Sequence, residues 1–118
     1  MPHCVIECPK ELNDIISFDV LATAVHDAAQ SSGLFEEGDV KSRIVTSEHY
    51  VVGGKKANYV HVVTHLLSGR TIEQRKHLSD SIAKVLCELL PAVEMLSVEV
   101  REIEKQVYSN RKSVLNIN

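Results

Sequence analysis

The sequence YVHVVTHLL, residues 59–67, is the most apolar run of the chain and has the composition of a β-strand. Residues 68–70 follow as a turn. Thr71 and Gln74 then have the spacing of a capping box, which predicts that a helix begins after Thr71. Apolar residues recur at helical spacing from there toward Pro91. The residues of this apolar helix face are Leu78, Ile82, Val85, Leu86 and Leu89.

The same order of elements occurs in the first half of the chain. Residues 2–8 form a short β-type run, and Pro2 suits the first position of a strand, where its missing N–H group removes no ladder hydrogen bond. A helix begins near Ser17 and ends at residues 31–33, and residues 40–46 alternate as a second strand. The apolar residues at helical spacing in this first helix are Leu21, Ala24, Val25, Ala28 and Ala29.

Residues 96–101 alternate as the last main strand and complete the second half of the chain. The order is therefore β-α-β twice, in one α+β domain over residues 1–118. Right-handed crossovers place both helices on one face of a four-stranded sheet. A polar tail closes the chain, and its apolar members are Tyr108, Val114, Leu115 and Ile117.

The face of the sheet opposite the helices raises the question of what covers it. The strand quoted above carries Val60, Val62 and Leu66 on one side but also Val63 and Leu67 on the other. A sheet that faces water on one side alternates more cleanly between apolar and polar residues. We therefore expect another copy of the chain to cover the second face.

The composition excludes several classes of protein. The 118 residues are 44% hydrophobic and 25% charged, which is typical of a globular domain rather than of a disordered chain. A formal net charge of -3 and an aromatic content of 4% argue against a nucleic-acid partner. No apolar run is long enough for a membrane span, and the N-terminus lacks a signal-peptide pattern, so we expect a cytoplasmic protein with reduced thiols.

The histidines and cysteines do not predict a metal site or a reactive thiol. His61 and His65 are four residues apart, and on a strand this spacing separates them by ~13 Å, too far to share one ion. The same spacing separates Cys4 from Cys8. We expect these two thiols, and Cys87 on the apolar side of the second helix, to be packing residues.

A proline directly after the initiator methionine is the least ordinary feature of the sequence. Removal of Met1 would leave the secondary amine of Pro2 as the chain terminus. A terminal amine titrates near ~7.7–8.0, and burial or a nearby cation lowers this pKa further. An amine that is uncharged at neutral pH can accept and return a proton. The alternative is that Pro2 only protects the terminus or starts a strand.

Cations near the predicted strand ends form the second candidate group. Arg70 directly precedes the cap at Thr71, where it can meet an anion together with the free N–H groups of the helix. Guanidinium groups bind carboxylates through two parallel hydrogen bonds. Taken singly, each cation also fits a solvated surface position. The cations considered are Lys41, Arg43, Arg70 and Arg75.

Several short motifs follow one another along the chain in an order that matches a known family. They are Pro2-His3, Glu7-Cys8, Lys41-Ser42-Arg43, Val60-His61, Gly69-Arg70-Thr71 with Glu73 and Arg75, and Glu102-Ile103-Glu104. With these motifs the chain resembles the 5-carboxymethyl-2-hydroxymuconate isomerase family of the tautomerase superfamily, whose members use an amino-terminal proline. The resemblance covers nearly the whole chain.

The resemblance implies a cofactor-free tautomerase of aromatic catabolism that assembles as a homotrimer and converts a small carboxylated dienol to its ketone. By position, Pro2 matches the family's base and Arg70 a catalytic arginine. Lys41 and Arg43 correspond to substrate-binding positions, with Lys41 where the family has an arginine. Tyr50 lies where the family places an aromatic residue near the pocket.

A different class of function remains open at this point. A β-α-β repeat also builds ferredoxin-like modules that bind small ligands or regulate other proteins without catalysis. A mass measurement that shows whether Met1 is present distinguishes the enzyme from the binding module. Catalysis through Pro2 requires that Met1 is absent from the native protein, whereas a binding module has no such requirement.

Overall fold

The fold comes from a computed structural model that describes residues 1–116. Its strands and longer helices follow the predicted order, with two short 3-10 turns at Lys10–Asp14 and Lys105–Val107. The elements are β1 (His3–Pro9), α1 (Phe18–Ser31), β2 (Lys41–Ser47), β3 (Tyr59–Leu67), α2 (Ile72–Leu89), β4 (Met95–Ile103) and α3 (Arg111–Leu115).

The four strands form one mixed sheet in the order β2-β1-β3-β4. β1 pairs with β2 in parallel, β3 pairs with β4 in parallel, and the two units join through the antiparallel pair β1–β3. Each parallel pair is connected through a helix, as parallel neighbours require. The predicted α+β class, with two β-α-β units and a four-stranded sheet, is confirmed.

The core lies between the sheet and the two long helices. Alternate residues of β1 and β3 are inaccessible to solvent, and α1 and α2 cover them with side chains spaced three or four residues apart. Each fully buried leucine or isoleucine contributes about 1.5–3 kcal/mol to folding. The largest fully buried side chains include Ile6, Leu21, Val25, Val60, Val62, Leu66, Leu78, Ile82 and Leu86.

The start of α2 has the predicted capping box. The Thr71 hydroxyl accepts a hydrogen bond from the Gln74 backbone N–H at 3.1 Å, and the Gln74 side chain accepts one from the Thr71 N–H at 2.9 Å. Gly69 precedes the cap with φ of 127°, a conformation that side chains with a Cβ rarely adopt. The cap and the glycine therefore fix the turn that carries Arg70.

The cysteines divide into two groups. Cys4 and Cys8 are inaccessible in the core, as predicted. Burial raises the pKa of the Cys4 thiol, and burial together with the Glu7 carboxylate raises the pKa of Cys8 to about 11, so neither thiol is a ready nucleophile. The placement of Cys87 on the apolar side of α2 was wrong, because this residue is exposed.

The face of the sheet away from the helices, here called the open face, has a mixed character. Val63 and Leu67 lie on it, half-buried, as predicted. It is not uniformly apolar, however, because charged and polar residues occupy adjacent positions of the four strands. One row across the sheet consists of Lys41, His3, His65 and Arg101, and the next consists of Arg43, Val5, Val63 and Glu99.

The strand directions determine which residues can form a site. β1 and β2 begin, and β3 and β4 end, at the same end of the sheet, because His3 pairs with both Lys41 and His65. We call this the Pro2 end. No helix within residues 1–116 is long and apolar enough to cross a bilayer.

Candidate functional site

Pro2 is buried at the Pro2 end of the sheet, directly before β1. Its carbonyl oxygen accepts a hydrogen bond from the Lys41 backbone N–H at 3.1 Å, which extends the pairing of β1 with β2 by one residue. In the chain with Met1 present, the Pro2 nitrogen is an amide nitrogen. The Met1 amine therefore reports on the electrostatic surroundings of this position.

The chain terminus lies in surroundings that disfavour a positive charge. Burial lowers the pKa of the Met1 amine, and the neighbouring side chains of Lys41 and Arg70 lower this pKa further. The Asp39 carboxylate acts in the opposite direction but does not reverse the shift. The Pro2 end thus brings together a terminal amine and two of the cations that the sequence singled out.

Arg70 is held in place by the connection between α1 and β2. Its Nη2 donates a hydrogen bond to the Leu34 carbonyl oxygen at 2.9 Å, and its guanidinium lies 5.2 Å from the centre of the Phe35 ring. Such a cation–π contact contributes about 0.5–1 kcal/mol at an exposed site. Because one nitrogen bonds to a single carbonyl, the remaining N–H groups of the half-buried guanidinium stay available to an anion.

Lys41 and Arg43 lie on the strand next to β1. Lys41 Nζ donates to the Asp39 carbonyl oxygen at 2.6 Å. Arg43 Nη1 is 3.0 Å from His3 Nδ1, and since a guanidinium only donates, the imidazole accepts here. Burial, followed by Arg43 and Lys41, lowers the pKa of His3, which favours the neutral ring that this contact requires.

The structure places Tyr50 apart from this group and pairs Arg75 with a carboxylate. Tyr50 follows β2 at the opposite end of the sheet, about seven strand residues or ~23 Å from Pro2. Its hydroxyl donates to Glu11 at 2.7 Å, and desolvation together with this carboxylate raises the pKa of Tyr50 to about 12. Arg75 contacts Glu102 at 3.6 Å. A role for Tyr50 near Pro2 therefore requires a Tyr50 from a second chain.

A cavity of about 360 Å³ opens beside the chain terminus. The N-terminal side of its wall contains Met1, His3, Asp39 and Lys41. Its other side contains Tyr108, Asn110, Arg111 and Lys112, which the sequence did not single out. The topology explains why they lie here. β4 runs parallel to β3 and ends at the Pro2 end, so the basic residues that follow β4 lie at this end of the sheet.

The geometry combines a chain-terminal nitrogen, a held guanidinium and a cation-lined cavity. Residues 2–116 match the sequence model of the 5-carboxymethyl-2-hydroxymuconate isomerase family. The chain belongs to this family. It is accordingly an isomerase of the tautomerase superfamily. No curated protein sequence matches the chain.

Solved structures share the fold of this isomerase. A 5-carboxymethyl-2-hydroxymuconate isomerase from Deinococcus radiodurans R1 has a TM-score of 0.81 at 21% identity, covering 93% of this chain and 88% of that chain. A 5-carboxymethyl-2-hydroxymuconate delta-isomerase has a TM-score of 0.77 at 15% identity, covering 100% and 94%. Fused 4-OT, described as a symmetric trimer, has a TM-score of 0.77 at 18% identity, covering 92% and 91%.

Proposed function

We propose that the chain, once Met1 is removed, converts 5-carboxymethyl-2-hydroxymuconate or a similar 2-hydroxymuconate to its unsaturated ketone, with Pro2 as the base and no cofactor. The observation that carries the proposal is the position of the chain terminus. It lies beside Lys41 and Arg70, in a place that lowers the pKa of an amine, and it opens onto a cavity lined by cations.

The reaction is a proton transfer within a conjugated dienol. The 2-hydroxyl loses its proton and becomes a carbonyl, and the double bond between C2 and C3 moves to C3 and C4. The double bond between C4 and C5 becomes a single bond as its electron pair forms the new C–H bond at C5. No electrons are exchanged with an external acceptor. The Pro2 nitrogen takes the hydroxyl proton and returns it to C5, so the enzyme ends each cycle in its starting state.

The cations near Pro2 have complementary roles in this proposal. Arg70 binds the carboxylate next to the reacting hydroxyl and stabilises negative charge as the dienolate forms. Lys41 supplies a point charge at the same end of the substrate, where an arginine would supply a planar fork. Arg43 contacts His3 and lies one row further along the open face, where it supports substrate binding.

Assembly into a homotrimer completes the site in this proposal. Val63 and Leu67 lie half-buried on the open face, and packing against other chains would cover them. Within one chain Tyr50 and Pro2 lie at opposite ends of the sheet. A neighbouring chain that packs on the open face can bring its own Tyr50 to the site. The similar structure of fused 4-OT, a symmetric trimer, supports this arrangement.

The free cysteine thiols support a cytoplasmic location in this proposal. All three cysteines of the chain are free, and Cys4 and Cys8 are separated by ~13 Å along one strand. Unpaired cysteines are typical of a reducing compartment. We therefore place the reaction in the cytoplasm, as a step of aromatic catabolism.

The test is an ultraviolet assay of ketonisation on protein whose intact mass shows that Met1 is absent. We expect loss of the dienol absorbance with 5-carboxymethyl-2-hydroxymuconate, with 2-hydroxymuconate as the second substrate. Absence of turnover with both compounds, in protein of confirmed mass, would overturn the proposed reaction. Uniform retention of Met1 in the native host would instead favour a ligand-binding module without catalysis.

A further inference from the structure

The C-terminal segment, residues 104–116, is anchored to the turn that carries Arg70. The Ser68 N–H donates to the Ile103 carbonyl oxygen at 2.9 Å, and the Lys105 N–H donates to the Ser68 hydroxyl at 3.3 Å. Ser68 is separated from Arg70 only by Gly69. The chain that leaves β4 therefore begins its course at the Pro2 end, next to the proposed catalytic arginine.

The segment then turns toward the cavity and forms α3. The Asn110 side chain accepts a hydrogen bond from the Ser113 N–H at 2.9 Å, and the Ser113 hydroxyl accepts one from the Asn110 N–H at 3.1 Å. This reciprocal cap fixes the start of the short helix. Arg111 and Lys112 follow the cap directly, and both line the cavity together with the half-buried Tyr108.

The wall of this cavity has an excess of positive charge. Lys41, Arg111 and Lys112 are cations, whereas Asp39 is the one carboxylate among the described lining residues. The other arginines of the chain already have partners: Arg43 contacts His3, Arg70 contacts Leu34, Arg75 contacts Glu102 and Arg101 contacts Glu99. Within residues 1–116, Arg111 has no salt bridge or side-chain hydrogen bond of this kind, so its donors are available to a ligand.

We infer that Arg111 and Lys112, assisted by the Tyr108 hydroxyl, bind the carboxylates at the end of the substrate farthest from the reacting hydroxyl, and that they select a tricarboxylate over a dicarboxylate. The inference rests on the proposed function and extends it to substrate choice. Arg70 and Lys41 bind the near end of the substrate, and the cavity wall from the C-terminal segment binds the far end.

The chemistry of the two candidate substrates makes this division measurable. 5-Carboxymethyl-2-hydroxymuconate has two carboxylates at its far end, whereas 2-hydroxymuconate has one. A charge-assisted pair with a cation contributes about 1.5–3 kcal/mol, which corresponds to about tenfold or more in affinity. Arg111 and Lys112, which lie side by side, therefore favour the substrate whose far end carries two carboxylates.

The experiment compares kcat/KM for both substrates in the double variant Arg111→Ala/Lys112→Ala. We expect the preference for the tricarboxylate to fall by about tenfold or more, while activity on the dicarboxylate changes far less. Alanine favours a helix, so α3 should persist. Lys84→Ala removes an exposed cation of α2 and serves as the matched control, with an unchanged preference. An unchanged preference in an active double variant would overturn the inference.

A binding measurement separates this inference from the proposed reaction. Calorimetry with the unreactive tricarboxylate tricarballylate and the dicarboxylate glutarate needs no turnover. We expect Met1-free wild-type protein to bind tricarballylate more tightly, and the double variant to lose that difference. Equal binding of tricarballylate by both proteins would overturn the inference. Inactive wild-type protein that nevertheless binds tricarballylate through Arg111 and Lys112 would overturn the reaction and support the cavity assignment.

Discussion

Arg70 donates a hydrogen bond from Nη2 to the carbonyl oxygen of Leu34 at 2.9 Å, across the gap between the end of β3 and the loop after α1. The contact links the two β-α-β units at the Pro2 end. It orients the guanidinium through a backbone atom, which depends on the path of the loop rather than on the side chain at position 34. The position of the proposed catalytic cation is therefore a property of the fold.

Replacement of Arg70 by alanine tests its role in charge stabilisation. We expect Arg70→Ala to lower kcat/KM by about 10²–10³, because removal of one donor to a developing oxyanion has effects of this size. Loss of the contacts with Leu34 and Phe35 should also reduce stability by about 1 kcal/mol. Arg70→Lys keeps the charge, so its kcat/KM should lie between those of the wild type and Arg70→Ala. Wild-type kcat/KM in a folded Arg70→Ala protein would exclude Arg70 from the reaction.

Replacement of Lys41 by arginine tests whether the point charge limits the enzyme. Lys41→Arg provides a planar fork toward a carboxylate, so we expect activity on 5-carboxymethyl-2-hydroxymuconate to be maintained or raised. Lys41→Ala should lower it. The measurement is the kcat/KM of both variants with 5-carboxymethyl-2-hydroxymuconate. Equal losses in both would mean that the site is adapted to the lysine and to a different ligand.

The stability of the folded protein at acid pH depends in part on Glu99. Hydrogen bonds from Arg101, and then from His61, lower the pKa of this carboxyl to about 2. An unfolded glutamate titrates near ~4.3, so the contribution to stability is complete above that pH and is lost as the pH falls toward about 2. Melting temperatures should therefore decline less steeply between these values in Glu99→Gln than in the wild type.

The control for this measurement is Glu88→Gln, which changes an exposed glutamate of α2. Its melting temperatures should follow the wild-type dependence on pH. Parallel curves for Glu99→Gln and the wild type throughout the acid range would show that the contacts of Glu99 with Arg101 and His61 do not contribute.

Assembly through the open face is tested by a charge at its centre. Val63 pairs with Glu99 on β4, so Val63→Lys places a cation beside a carboxylate. The substitution therefore introduces no like-charge repulsion between these two positions of the monomer. Burial of the new charge between subunits should nevertheless weaken the proposed trimer. Light scattering should show a trimer for the wild type and for Lys84→Asp, and smaller species for Val63→Lys. An intact trimer in Val63→Lys would place the interface elsewhere.

The elements that sequence predicted well are those with long periodic patterns or a paired cap. Thr71 and Gln74 marked the start of α2, and alternation marked β3. α3 was not predicted because five residues are too few to show a period, and the Asn110–Ser113 cap has no apolar run behind it. The predicted tail residue Ile117 lies outside the residues that the structure describes.

The candidate site was only partly predictable for a related reason. Pro2, Lys41 and Arg70 could be grouped through the resemblance to the isomerase family, and the strand order of the structure places them at one end of the sheet. The contribution of Arg111 depends on the course of an irregular segment, which no spacing encodes. The exposure of Cys87 follows from helix geometry. The buried Leu78, Ile82 and Leu86 and the half-buried Val85 and Leu89 share one side of α2, and Cys87 lies on the opposite side.

The central claim is that a free Pro2 nitrogen is the base, and a pH profile on protein of defined N-terminus tests it most directly. Met1-free enzyme should lose kcat/KM toward acid pH with an apparent pKa below the ~7.7–8.0 of an ordinary terminus, because burial, Lys41 and Arg70 disfavour a cation there. Met1-retaining enzyme, prepared with a methionine aminopeptidase inhibitor and verified by intact mass, should lose both this titration and nearly all activity. Equal activity and the same pH profile in both preparations would contradict the claim.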